Sequence, residues 1–84
     1  MKHRIEMAPL ADYYVIAVKD KETGELKESF TLNESGADML RLFCEDKTPE
    51  AVAAEIALMY EAPVEIVTKD VHAFAERLRQ KGLL

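Results

Sequence analysis

The spacing of apolar side chains changes near residue 33 and divides the chain into a strand-forming half and a helix-forming half. Residues 13–18 are nearly all apolar and rich in β-branched and aromatic side chains, which is typical of a strand with neighbours on both sides. A charged stretch containing Gly24 follows and is suited to a hairpin loop. The first half therefore predicts a small antiparallel sheet around residues 13–18.

Residues 26–32 alternate between a mostly apolar face and a polar face, as in a half-buried strand. Upstream, Ile5 and Met7 alternate with charged residues, which predicts a weaker first strand that ends near Pro9. The simplest arrangement is a meander of three strands, with the third strand at a sheet edge. The inner face of that third strand is expected to carry Leu26, Glu28, Phe30 and Leu32.

The second half has helical spacing and clear start signals. Asn33 is a good N-cap, Thr48 followed by Pro49 is a second start, and a third helix begins near Pro63 or Val64. Gly82 suits a left-handed helix end, after which the final leucines can fold back on the core. The expected apolar faces are Ala37, Leu40, Phe43 and Cys44 in the first helix, Val52, Ile56, Met59 and Tyr60 in the second, and Val67, Val71, Phe74 and Leu78 in the third.

The order of elements is βββααα, without a repeat or a linker. We therefore predict one α+β domain over residues 1–84, in which a three-stranded antiparallel sheet is followed by three helices in a winged helix-turn-helix-like arrangement.

Composition restricts the function. The 84 residues include 11 Lys and Arg against 16 Asp and Glu, a formal net charge of −5, so binding driven by a broadly basic surface is excluded. One cysteine forms no internal disulfide and suits a reducing compartment. Residues 1–6 lack the apolar run of a secretory signal, and no stretch reaches the length that spans a bilayer. We expect a cytoplasmic protein that does not bind membranes.

No enzymatic constellation is evident. His3 and His72 do not have the spacing of a metal-binding pair, and the three glycines are too dispersed for a phosphate-binding loop. Cys44 falls on the inner face of its helix, which favours an inert buried thiol over a nucleophile. The sequence therefore predicts no catalytic residue, metal or cofactor.

The edge strand leaves several functions open. Its polar side chains can simply protect the edge from unwanted pairing, or an extended peptide can add to it as a further strand. Dimerisation through the same edge is a third possibility. DNA binding by the last helix is disfavoured, because Val64, Glu65 and Ile66 stand where a recognition helix reads bases. That helix carries the cations Lys69, Arg77, Arg79 and Lys81.

Motifs from Leu32 to the C-terminus resemble the PqqD family of peptide-recognition proteins, named after the pyrroloquinoline quinone biosynthesis protein. The resemblance covers about residues 14–84 and departs from the family at Leu40, where many members have tryptophan. Residues 45–47 also lack the glycine that often precedes the second helix. The motifs are Leu32-Asn33-Glu34-Ser35-Gly36-Ala37 with Leu40 and Phe43, Thr48 with Glu50, Tyr60, Asp70-Val71, Phe74, Leu78 and Gly82-Leu83-Leu84.

The resemblance implies a non-catalytic adaptor that binds the leader of a ribosomally made precursor peptide and presents it to a modifying enzyme, often a radical S-adenosylmethionine enzyme. Expected partners are that peptide and that enzyme, without nucleic acid, and the chain is expected to be a monomer or weak homodimer. By elimination, Asp38, Arg41 and Glu55 are candidates for the enzyme-facing surface. The peptide-binding residues implied are Lys27, Glu28, Ser29, Phe30 and Thr31 on the third strand and Asp70, Ala73, Phe74, Arg77 and Leu78 on the third helix.

Overall fold

The computed structural model describes residues 3–84, so Met1 and Lys2, within the segment interpreted as lacking a secretory signal, lie outside the described residues. The three strands pair antiparallel in the order β1-β2-β3, and three helices follow, which confirms the predicted α+β architecture and the edge position of the third strand. The elements are β1 (Arg4–Leu10), β2 (Tyr13–Lys19), β3 (Leu26–Leu32), α1 (Glu34–Cys44), α2 (Pro49–Met59) and α3 (Val64–Gln80).

One face of the sheet packs against the helices. Ile16 and Val18 of the central strand are buried, as expected for its apolar sequence. The predicted stripe of α3 is buried along its whole length, which places this helix against the core. Other buried side chains of the same cluster include Leu40, Phe43, Val52, Ala53, Ile56, Val67, Val71, Phe74 and Leu78.

The helix ends form as their sequences predict. Asn33 accepts a hydrogen bond from the Gly36 N–H at 2.8 Å and caps α1. Thr48 caps α2 in the same way. At the end of α3, Gly82 has a φ of +76°, and the Leu83 N–H donates to the Leu78 carbonyl at 2.8 Å. This turn returns Leu83 to the core, where it is 1% exposed.

β1 ends at Leu10, one residue after Pro9, as predicted, and an edge strand tolerates this proline because its nitrogen faces away from the neighbour. One prediction about the strands, the inner position of Leu26, is wrong. On β3, Val18 pairs with Glu28 but Lys19 pairs with Leu26, so Lys27 is an extra residue. Such a bulge moves Leu26 to the outer face, where it is 56% exposed.

The predicted apolar face of α2 is only partly correct. Val52 and Ile56 are buried, whereas Met59 and Tyr60, at the C-terminal end of α2, are exposed. Cys44 is half-buried at the end of α1 rather than fully enclosed. Within residues 3–84, no helix has the length and hydropathy needed to cross a bilayer.

Candidate functional site

The position of Pro9 on β1 reveals which backbone groups of β3 point out of the sheet. Tyr14 lies between Pro9 on β1 and Leu32 on β3. In an antiparallel sheet the N–H and C=O of a central residue point to the same neighbouring strand, and Pro9 has no N–H to complete such a pair. Tyr14 therefore bonds toward Leu32. The two-residue turn between Leu10 and Tyr13 agrees, because its closing pair is hydrogen-bonded and the next pair is not.

The backbone of β3 alternates from this fixed point. Glu28, Phe30 and Leu32 direct their N–H and C=O groups to β2, while Ser29 and Thr31 direct theirs away from the sheet. Within residues 3–84, no loop or side chain forms a hydrogen bond with these outward groups. The edge of β3 thus offers two free donors and two free acceptors on neighbouring outward positions.

A groove separates this edge from α3. The Lys81 ammonium lies 2.5 Å from the Glu28 carboxylate, so the C-terminal end of α3 is next to the beginning of β3. The helix then runs antiparallel to the strand. Halfway along is a cavity of about 200 Å³, here called the apolar cavity. Its walls include Phe30, Leu32, Phe74, Arg77, Leu78 and Lys81.

A second cavity of about 240 Å³ continues the groove toward the beginning of α1. We call it the polar cavity because Asp70 and the capping side chain of Asn33 are on its wall. Phe74 and Arg77 line both cavities and form the partition between them. The remaining walls of the polar cavity are Ser35, Gly36, Met39 and Ala73.

The structure brings most of the sequence-predicted site residues together in this groove. Lys27, Glu28 and Ser29 lie on β3 but do not line a cavity: Lys27 is the bulged residue, Glu28 pairs with Lys81, and Ser29 is exposed at the edge. The predicted residues that do line the cavities are Phe30, Thr31, Asp70, Ala73, Phe74, Arg77 and Leu78.

Two parts of the groove are absent from the sequence-based prediction. The N-terminal turn of α1 supplies one wall, which the N-cap signal at Asn33 locates in the sequence but does not place beside α3. Lys81 closes the other end, although in the sequence it is only a cation near a helix C-terminus. The α1 residues omitted were Asn33, Ser35, Gly36 and Met39.

The charges in the groove differ in how they are compensated. Lys81 pairs with Glu28 and lies 4.6 Å from the centre of the Phe30 ring, and Arg77 lies 5.5 Å from that of Phe74. Asp70 forms no ion pair or hydrogen bond with any residue in the range 3–84. The exposed carboxylate of Asp70 on the wall of the polar cavity is therefore uncompensated by any protein group within residues 3–84.

The candidate surface at Asp38 and Arg41 is engaged within the chain. Asp38 accepts hydrogen bonds of 2.5 Å from Arg41 and from the Tyr60 hydroxyl. Partial burial and the bond to Asp38 raise the pKa of Tyr60 above its ordinary value. Glu55 pairs with Lys47 at 3.2 Å. These residues connect α1 and α2 to their surroundings rather than offering free charges.

Among residues 3–84, the other reactive groups do not converge on a site. His72 is exposed, with Nε2 3.3 Å from the Glu50 carboxylate. Burial raises the pKa of the Cys44 thiol, which disfavours the nucleophilic thiolate. In the part of the chain that is described, no three His, Cys, Asp or Glu side chains are placed to hold a metal ion.

An α+β domain with an open strand edge beside a lined groove is the architecture of a module that can take up an extended peptide. Residues 17–84 match the family model of coenzyme PQQ synthesis protein D (PqqD), and the chain belongs to the PqqD family. This match confirms the family resemblance inferred from the motifs.

A solved structure described as TbiB1 in complex with the TbiA(beta) leader peptide is similar to this chain. The two are 28% identical with a TM-score of 0.70, and the match covers 100% of this chain and 94% of the other. No curated protein sequence matches the chain.

Proposed function

We propose that this chain is a non-catalytic adaptor that binds the leader of a ribosomally synthesised precursor peptide as a fourth strand on β3. The observation that carries the proposal is the pair of outward-facing backbone positions, Ser29 and Thr31, directly beside the groove. Membership of the PqqD family and the similarity to TbiB1, whose structure contains a leader peptide, support the assignment.

Affinity and selectivity come from different parts of the site. Backbone bonds to Ser29 and Thr31 hold any extended chain, because they do not depend on the peptide's side chains. The two cavities then select among sequences. A free leader is disordered and loses conformational freedom on binding, which offsets several kcal/mol of the gain and keeps affinity moderate.

The adaptor acts by raising local concentration. A leader held on a protein that also contacts a modifying enzyme brings the rest of the precursor close to the active site without any bond-making step in this chain. The family resemblance makes a radical S-adenosylmethionine enzyme the proposed partner. The peptide-binding set comprises the strand and helix residues predicted from the sequence, together with the α1 wall of the polar cavity.

A pull-down from the source organism's lysate, with mass spectrometry that retains short peptides, tests this function. Three baits are compared: the unmodified chain, a Ser29→Pro, Thr31→Pro variant and a Ser29→Ala, Thr31→Val variant. The proline variant loses both outward N–H groups, whereas the control keeps them. We expect a short precursor peptide with the unmodified chain and the control, and at least about tenfold less with the proline variant, since two backbone bonds of roughly 1 kcal/mol each are lost.

Circular dichroism establishes that the proline variant is folded before the baits are compared. A peptide retained equally by the folded proline variant would overturn strand addition on β3. Recovery of nucleic acid, or of nothing beyond further copies of the chain, would overturn the adaptor function itself.

A further inference from the structure

The two cavities have the spacing of alternate side chains in a strand. The apolar cavity is lined by Phe74, Arg77 and Leu78 of α3 and by its C-cap Lys81, and each lies four positions after an α3 residue that lines the polar cavity. Four helical residues rise about 6 Å. Side chains on one face of a strand recur about every 6.6 Å. A strand added to β3 therefore places residues two apart in neighbouring cavities.

The cavities also differ in the side chain that they fit. The apolar cavity is lined by Phe30, Leu32 and Leu78, so burial of an apolar side chain there is favourable. Its cation Lys81 is already paired with Glu28. An apolar residue in this cavity leaves that ion pair in place.

The polar cavity instead contains the uncompensated carboxylate of Asp70. Arg77, on the partition, lies over the Phe74 ring, and the side-chain oxygen of Asn33 already accepts from the Gly36 N–H and the Ser35 hydroxyl. A long basic side chain can lie along Met39 and Ala73 and bring its cation to Asp70.

We infer that the groove selects an extended peptide with an apolar residue and a lysine or arginine two positions apart, the first in the apolar cavity and the second paired with Asp70. This inference rests on the proposed function and adds the pattern that the leader must carry. It assigns Asp70 as a specificity-determining residue.

A phage-displayed library of random 12-residue peptides tests the pattern without knowledge of the natural leader. It is panned on the unmodified chain, on Asp70→Lys and on Asp12→Lys, which makes the same charge change at an exposed turn residue that forms no hydrogen bond or ion pair with residues 3–84. We expect the unmodified chain and the Asp12→Lys control to enrich peptides with the apolar-and-basic pair. Asp70→Lys is expected to enrich Asp or Glu in place of the basic residue.

Synthetic peptides then give the size of the effect. A peptide from the first selection should bind Asp70→Asn about tenfold more weakly than the unmodified chain, as expected for loss of one charge-assisted contact. Exchanging its basic residue for glutamate should restore binding to Asp70→Lys.

The outcomes separate the two proposals. Enriched peptides that lack the pair, or a preference that is unchanged in Asp70→Lys, would overturn the inference, while loss of binding in the Ser29→Pro, Thr31→Pro variant would still support strand addition. Selected peptides that bind the folded proline variant undiminished would overturn strand addition itself.

Discussion

The two edge strands of the sheet, β1 and β3, differ in their backbone donors and in their surroundings, which both affect whether another chain can add to them. β1 and β3 have the same length, and each pairs only with β2. On β1 the outward position at Pro9 has no N–H, so one of its donors is absent. On β3 the outward positions are Ser29 and Thr31, and both keep their donors.

The surroundings of the two edges differ as well. α1 packs against β2 and β3, and both cavities adjoin the β3 side of the described chain. β1 instead carries an ion-pair cluster on the outer face, where the Glu6 carboxylate lies 2.9 Å from Lys19 and 3.5 Å from Arg4. Charged side chains of this kind protect an edge from pairing.

From this contrast we infer that peptide capture requires more than an exposed strand. Unpaired donors give affinity, but a neighbouring wall is needed to bury the side chains of the added strand and so to discriminate among peptides. β3 has both features because α3, from Asp70 to its C-cap Lys81, lies beside it. β1 has an incomplete row of donors, so it serves as an internal control for every test of β3.

Amide hydrogen exchange of the free chain should show the largest difference between the backbone positions. We expect Ser29 and Thr31 to exchange at least about 100-fold faster than Phe30, because their N–H groups point to solvent while that of Phe30 is bonded to β2. On β1, Ile5 and Met7 should be fast for the same reason. Residue-resolved NMR exchange measures all of these amides in one sample.

Repeating the exchange measurement with a groove-binding peptide tests which strand edge binds the peptide. Ser29 and Thr31 should then become protected, while Ile5 and Met7 remain fast. Protection that appears on β1 instead, or equally on both edges, contradicts the assignment of β3 as the binding edge. Slow exchange of Ser29 in the free chain contradicts the backbone alternation deduced from Pro9.

The fold followed from the sequence because its signals were local and mutually consistent. The caps at Asn33 and Thr48, the stripe of α3 and the turn at Gly82 each depend on residues a few positions apart. The bulge at Lys27 was not predictable, because the alternation of residues 26–32 continues unbroken through this position. Only the pairing of Lys19 with Leu26 reveals the extra residue.

The site residues on β3 and α3 could be predicted, because the family resemblance names these two elements. The parts of the site that depend on how other segments pack beside them could not. The α1 wall at Ser35 and Met39 requires knowing that α1 begins beside α3, which is a tertiary relation. Similarly, nothing in the local sequence indicates that Lys81 contacts Glu28, 53 residues away.

Proline substitutions should lower the free energy of unfolding more where the backbone N–H points to β2 than where it points to solvent. Ala8 pairs with Val15 and, by the same alternation, directs its N–H to β2, so Ala8→Pro leaves a strand carbonyl without its donor and should lower the free energy of unfolding by about 1–3 kcal/mol. Thr31→Pro removes only an outward N–H and should cost at least about 1 kcal/mol less. Urea denaturation of the two variants measures the difference in their free energies of unfolding.

Ala8 is a suitable position for this comparison because its side chain is exposed, so little packing changes with the substitution. Ala8→Gly and Thr31→Val serve as controls that keep both N–H groups. If Thr31→Pro destabilised the chain more than Ala8→Pro, Thr31 would be bonded to β2, and the free donors of β3 would have to be reassigned to Glu28 and Phe30.

The smallest effect concerns the ion-pair cluster that protects β1. The hydrogen bond and charge of Lys19, together with Arg4, hold the pKa of Glu6 below its ordinary value. The stabilisation from this pairing is present above the unfolded-state pKa and is lost as the pH falls through the lower folded-state pKa. An NMR titration should show the Glu6 midpoint rising in Lys19→Met, which keeps the aliphatic stem. Because the proposed binding edge is β3, a groove-bound peptide should leave this midpoint unchanged, and a shift on binding would show that the two edges are not independent.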